Sequence, residues 1–142
     1  MLMTGSPPID AERAFTRSAR ARKRAIVARM LRRGKAACDR LAVYDGLAAR
    51  YGGRTRLREI PVEAISGTLE PSRAKLFDGC FRPAAAARSR WQRVWLAEHR
   101  GAVLPPISVV RIGDGYAVRD GHHRVSVARA RGALTIDAAV EA

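Results

Sequence analysis

Acidic residues are in short supply. The 142-residue chain carries 13 Asp and Glu against 27 Lys and Arg, a formal charge of +14, and that imbalance favours acidic partners. Cysteine is nearly absent. Cys38 and Cys80 stand too far apart for a CxxC site, and one possible bridge is weak support for secretion, so reduced thiols are expected. Long apolar runs are missing too. The longest charge-free stretch, 101–110, holds Pro105 and Pro106, whereas a membrane span needs about 20 apolar residues, so no membrane partner is expected. Residues 1–9 have neither a basic start nor an apolar run and do not read as a secretory signal, which makes the cytoplasm the expected compartment. At roughly 150 residues per domain the length suits one globular unit and excludes a multidomain enzyme. No internal repeat or low-complexity tract is visible.

What is present is enough to fold, since 47% of residues are hydrophobic. Arg outnumbers Lys 24 to 3 and Ala appears 26 times, a pairing that GC-rich coding produces with no functional cause. The choice of Arg is therefore uninformative. The shortage of acid is not, because Asp and Glu are open to GC-rich codons as well. Residues 1–56 hold 14 basic and 4 acidic side chains, net +10, against 13 and 9 in residues 57–142, net +4. The chain therefore divides into a basic helical N-terminal region, 1–56, and a second unit, 57–142. In the first, Ile9 and Asp10 as hydrophobic N′ residue and N-cap predict a helix over 11–33, with Gly34 as its stop. Phe15, Ala19, Ile26 and Met30 mark its apolar stripe; Arg13, Arg17, Arg20 and Arg24 cover the rest. A second helix is expected over 35–51, with Leu41, Tyr44, Ala48 and Tyr51 on one side, and then a linker over 52–56.

The second unit alternates shorter elements. Ile60, Val62 and Ile65 predict a strand over 57–65, followed by a loop over 66–82 anchored by Phe77 and Phe81. Pro83 opens a helix to residue 99, with Ala84, Ala87, Trp91, Val94 and Trp95 on one face. Strands over 107–112 and 116–119 meet at Gly113-Asp114-Gly115, a hairpin turn. A helix over 122–131 stops at Gly132, and a closing strand runs over 135–140. These elements make an α+β fold: a small mixed sheet with flanking helices, preceded by a basic helical arm.

Chemistry concentrates in Tyr116-Ala-Val-Arg-Asp-Gly-His-His-Arg124, a strand, a turn and the first turn of a helix. Amides at a helix start lack intrahelical acceptors and sit at the positive end of the dipole, so an anion placed there gains several hydrogen bonds. Gly121 lets the backbone approach such an anion, and Arg124 can add a bidentate fork. At 100° per residue His122 lines up with Ser126 and Arg129, a polar row, which marks it for ligand contact. His123 lines up with Val127 and Ala130. That row suits either a ring hydrogen-bonded to a neighbouring strand or a catalytic one. Asp120 is either the N-cap of its helix or a base or magnesium ligand. The histidines diverge by 100° with no third ligand nearby, so no metal centre of their own is expected.

The series Leu104-Pro-Pro-Ile-Ser-Val-Val, Gly115-Tyr-Ala-Val, Asp120-Gly-His-His-Arg124 and Ile136-Asp-Ala-Ala-Val140 resembles the ParB/sulfiredoxin superfamily over residues 57–140. Upstream, Ile60-Pro-Val-Glu-Ala-Ile65 is similar to the first strand of ParB amino-terminal domains, and Glu70-Pro-Ser-Arg73 to the segment that follows. The resemblance implies that Gly121, His122, His123 and Arg124 hold the phosphates of a nucleoside triphosphate, CTP or ATP, with magnesium. His122 stands where sulfiredoxins have their cysteine, so their thiol chemistry is not implied. ParB proteins that hydrolyse CTP have Gly-Glu-Arg-Arg at this turn and a helix-turn-helix domain after it, whereas this chain ends ten residues after Gly132. Free-serine kinases of the superfamily use an upstream glutamate as base, for which Glu70 is the counterpart here. The candidate catalytic residues are therefore Asp120 and Glu70. No paired-carboxylate metal site supports phosphodiester cleavage.

Three functions compete. The favoured one is a ParB-like nucleotide-binding protein associated with DNA, in which the +9 excess over residues 11–40 meets phosphates; an Arg-rich arm that is merely solvated, or that meets an acidic protein, accounts for the same charge. The alternative is a small-molecule kinase resembling the serine kinases. The third is a domain that keeps the fold without the ligand. No aromatic interleaving points to base-specific reading of nucleic acid.

Overall fold

The computed structural model describes residues 3–32, 40–44 and 54–141. Helix α1 spans Pro7–Arg32, four residues earlier than expected. Pro7 and Pro8 fit its first turn, where no N–H is needed. Asp10 is not the N-cap. It lies inside the helix, its amide donates to the Ser6 carbonyl (3.0 Å), and its carboxylate accepts from the Thr4 amide (2.9 Å) and hydroxyl (2.8 Å). Ala11, Ala14 and Phe15 join the core. The expected stripe fails further on, where Met30 is 74% exposed, because α1 packs on a helix less than half its length: α2, Arg88–His99.

Six strands form one mixed sheet: β1 Ala42–Val43, β2 Thr55–Pro61, β3 Ile65–Thr68, β4 Ile107–Ile112, β5 Gly115–Asp120 and β6 Thr135–Glu141, in the order β1-β3-β5-β4-β6-β2. β1 and β3 and then β3 and β5 pair in parallel, β4 antiparallel to β5, β6 parallel to β4, and β2 antiparallel to β6 along seven residues. Residues on both sides of position 56 thus share one sheet. The helix expected over 35–51 is corrected where it is described: residues 42–43 are strand, drawn into extended form by Gly67 and Thr68. The rest of that segment lies outside the described residues. The single strand expected over 57–65 is two strands separated by a 3₁₀ turn, Val62–Ala64.

Helix α3, His122–Ala130, completes the helical layer with α1 and α2. The main core lies beneath it and includes Val109, Val118, Val125 and Val127; Val110 and Ala117 point to the opposite face, where they pack with Leu69. Phe15 meets the Trp91 ring edge-on at 5.5 Å, and Trp91 Nε1 donates to Ser126 Oγ at 2.8 Å, so three buried side chains join α1, α2 and α3. Phe77 and Phe81 are buried anchors, as expected. Helix α2 starts later than Pro83 because the Ala84 amide donates to the Leu76 carbonyl (2.8 Å), which keeps that stretch extended until a 3₁₀ turn at Ala85–Ala87 leads into the helix. Cys80 is disulfide-bonded, contrary to the expectation of reduced thiols. No helix among the described residues is long and apolar enough to cross a membrane.

Candidate functional site

Strands β3 and β5 run in parallel, so their carboxyl ends, Thr68 and Asp120, come to the same edge of the sheet. Helix α3 begins at that edge. Its cap residue is Gly121, with φ +107° and ψ 23°, and no side chain caps it. Glycine is required twice over: the φ is one that L side chains avoid, and a Cβ would lie 2.5 Å from Ile107 Cγ2. Asp120 is therefore not the N-cap; its side chain is 72% exposed, and its Oδ2 accepts from Arg124 Nη2 at 3.2 Å.

A cleft of about 210 Å3 opens at this helix start, lined by residues 120–124 together with Arg73, Arg90, Val94, Leu104 and Pro105. The predicted turn and the cleft coincide. Arg73 comes from the 3₁₀ turn Pro71–Arg73 and Arg90 from the first turn of α2. Arg90 is missing from the sequence reading, and no local signal singles it out. Of the segment Glu70-Pro-Ser-Arg73, it is the arginine that reaches the cleft. Glu70 is exposed and outside the cleft, and among the described residues only its backbone is engaged, with Thr68 Oγ1 and the Arg73 amide. Of the two candidate catalytic residues, Asp120 lines the cleft and Glu70 does not.

Both histidines line the cleft, and the strand bond considered for His123 is made by His122. His122, from the polar row, bonds a strand: its Nε2 lies 2.6 Å from Thr68 Oγ1. The hydroxyl's carbonyl partners, those of Glu70 and Val118, are both 3.4 Å away. The hydroxyl and Nε2 therefore share the shortest bond at this threonine, with the donor set by the ring's tautomer. His123, from the apolar row, makes no hydrogen bond among the described residues; its ring meets Phe77 edge-on at 5.1 Å. The rings are 4% and 6% exposed, and burial lowers both pKa values to about 4, helped for His122 by the charges of Arg73 and His123 and for His123 by those of Arg90 and Arg73. Both are neutral at pH 7. They add hydrogen-bonding capacity to the cleft and no charge.

Arg124 is partly committed within the protein. Its Nη1 donates to the Pro105 carbonyl and to that of Pro106 (3.1 Å), and its Nη2 to Asp120. A guanidinium has five N–H donors, so Nε and one Nη2 hydrogen remain for a ligand. Arg124 thus braces the 104–106 segment against α3 while lining the cleft.

No family model matches the chain, and no curated protein matches it. Among solved structures, sulfiredoxin from Arabidopsis thaliana is similar, at 19% identity and a TM-score of 0.45, over 60% of this chain and 83% of that one. As for metals, no cluster of three or more His, Cys, Asp or Glu side chains suited to an ion occurs among the described residues. Magnesium that arrives with phosphates needs only one or two carboxylates from the protein. Asp120 is the one carboxylate lining the cleft and would supply an oxygen there.

Proposed function

We propose that this is a ParB-like protein that binds the phosphates of a nucleoside triphosphate at the start of α3, and that the basic outer face of α1 associates with DNA. The observation that carries the nucleotide reading is the uncapped helix start opening onto a cleft with Arg73 and Arg90. Amides 122–124 lack intrahelical acceptors and carry the positive end of the dipole, and two guanidinium groups add full charges beside them. When bound, magnesium would neutralise phosphate charge, with Asp120 as its protein ligand. The DNA reading is favoured by Arg13, Arg17, Arg20, Lys23 and Arg24, all exposed on a helix whose other side is held in the core. Nothing favours the kinase alternative, since Glu70 stands outside the cleft and Asp120 is bonded to Arg124.

Titration calorimetry with CTP and ATP in magnesium buffer tests the nucleotide reading. Arg73→Ala and Arg90→Ala should each weaken binding about tenfold or more, since a charge-assisted hydrogen bond is worth about 1.5 to 3 kcal/mol. Binding unchanged in both variants, or absent in the wild type, would overturn it.

A further inference from the structure

The cleft is open and does not enclose a whole nucleotide. Sites that enclose drug-sized molecules begin near 300 Å3, and this one holds about 210 Å3, so phosphates can enter while sugar and base stay outside. Choosing among bases also needs a ring face to stack on, or side-chain donors and acceptors matched to a base edge. Among the described residues lining the cleft there is no Phe, Tyr or Trp, and no Asn, Gln, Ser or Thr; the arginines, which can pair with guanine or stack on a base, are engaged by the phosphates in this reading. His122 does not substitute, because its Nε2 is taken by the Thr68 hydroxyl and its ring is stacked on Phe77. The Pro105 carbonyl is occupied by Arg124, and the Asp120 carboxylate is shared between Arg124 and the magnesium of the phosphate reading.

What remains is positive charge and one unused polar ring. His123 is 94% buried, lines the cleft beside Arg73 and Arg90, and has no hydrogen-bond partner. Its ring nitrogens are not among the fully buried unpartnered atoms, so they stay open to a partner that enters the cleft. A phosphate supplies one whichever way the ring is protonated, since its oxygens accept from an N–H and a P–OH donates to a bare ring nitrogen. We infer that the site recognises a polyphosphate chain and not a nucleoside, with pyrophosphate as the smallest sufficient ligand and His123 as a direct contact to it. This rests on the phosphate reading of the cleft and narrows its ligand class.

Calorimetry on the full chain with pyrophosphate, tripolyphosphate, CTP, ATP and cytidine, all at one magnesium concentration, tests it. The four phosphate compounds should bind within about threefold of one another, and cytidine should not bind. His123→Leu should weaken all four by a common factor, and His123→Gln, which can still hydrogen-bond, should recover most of the loss. If CTP or ATP binds more than tenfold tighter than the other nucleotide and tripolyphosphate, the inference fails while the phosphate reading stands. Unchanged binding by His123→Leu removes His123 as a contact. Absence of binding by every compound overturns the phosphate reading as well.

Discussion

At Gly121 two requirements meet in one residue, and their costs add. An Ala there must adopt φ +107° and place a methyl 2.5 Å from Ile107 Cγ2 and 2.9 Å from Ile107 Cβ. Strain of this kind costs about 1 to 3 kcal/mol, and overpacking a core costs a similar amount. Gly121→Ala should therefore lose roughly 2 to 5 kcal/mol in urea denaturation, and phosphate binding with it; a loss below about 1 kcal/mol would mean that the turn relaxes freely. The neighbouring histidines give a second prediction, in pH. Folded, both have pKa values near 4; unfolded, both return to about 6.5. Below pH 6.5 the unfolded chain takes up protons that the folded chain refuses, so stability falls with pH from about 6.5 and this contribution is exhausted near pH 4. The loss is at most about 3 kcal/mol for His122 and less for His123, which solvent screens more. In His122→Gln the drop between pH 6.5 and 4 should become smaller; an unchanged drop would place its source elsewhere.

Elements legible from the sequence are those whose determinants are local. The β4 hairpin and α3 combine alternating apolar residues, a two-glycine turn and a start and stop within 26 residues, so 107–112 is recovered without error and α3 to within one residue. β1 fails for the opposite reason: Ala42 and Val43 are strand only because Gly67 and Thr68, 25 residues on, pair with them. The candidate site divides in the same way. Residues 120–124 are contiguous and legible as a phosphate turn, whereas Arg73 and Arg90 join them through tertiary packing that no spacing encodes. Packing between helices also sets the third prediction. Trp91 Nε1 has Ser126 Oγ as its acceptor in a buried bond between α2 and α3. Ser126→Ala strands that N–H and should cost about 1 to 3 kcal/mol. In a double-mutant cycle with Trp91→Phe, which removes the donor as well, part of that loss should be recovered; strictly additive losses would show that the bond contributes nothing.

On the scale of the whole molecule the charge is one-sided, and α1 is where it is displayed. Arg13, Arg17, Arg20 and Arg24 recur every three or four residues and line one shallow groove along the helix. The core fixes the opposite side through Phe15 and Trp91, so the basic face is presented by a rigid support. An interfacial membrane helix separates its apolar and basic faces. Here the exposed apolar residues Ile9, Val27 and Leu31 share the angular sector of Arg13, Arg20 and Arg24, which suits a phosphate backbone better than a bilayer. Each phosphate neutralised should contribute about −0.9 to the slope of log K against log salt. Replacing these four arginines by Gln should therefore lower the slope for duplex DNA by about 3 to 4 in magnitude while pyrophosphate still binds at α3. Fluorescence anisotropy between about 50 and 200 mM salt measures the slope, and an identical slope in the fourfold variant would remove α1 as the DNA-facing surface.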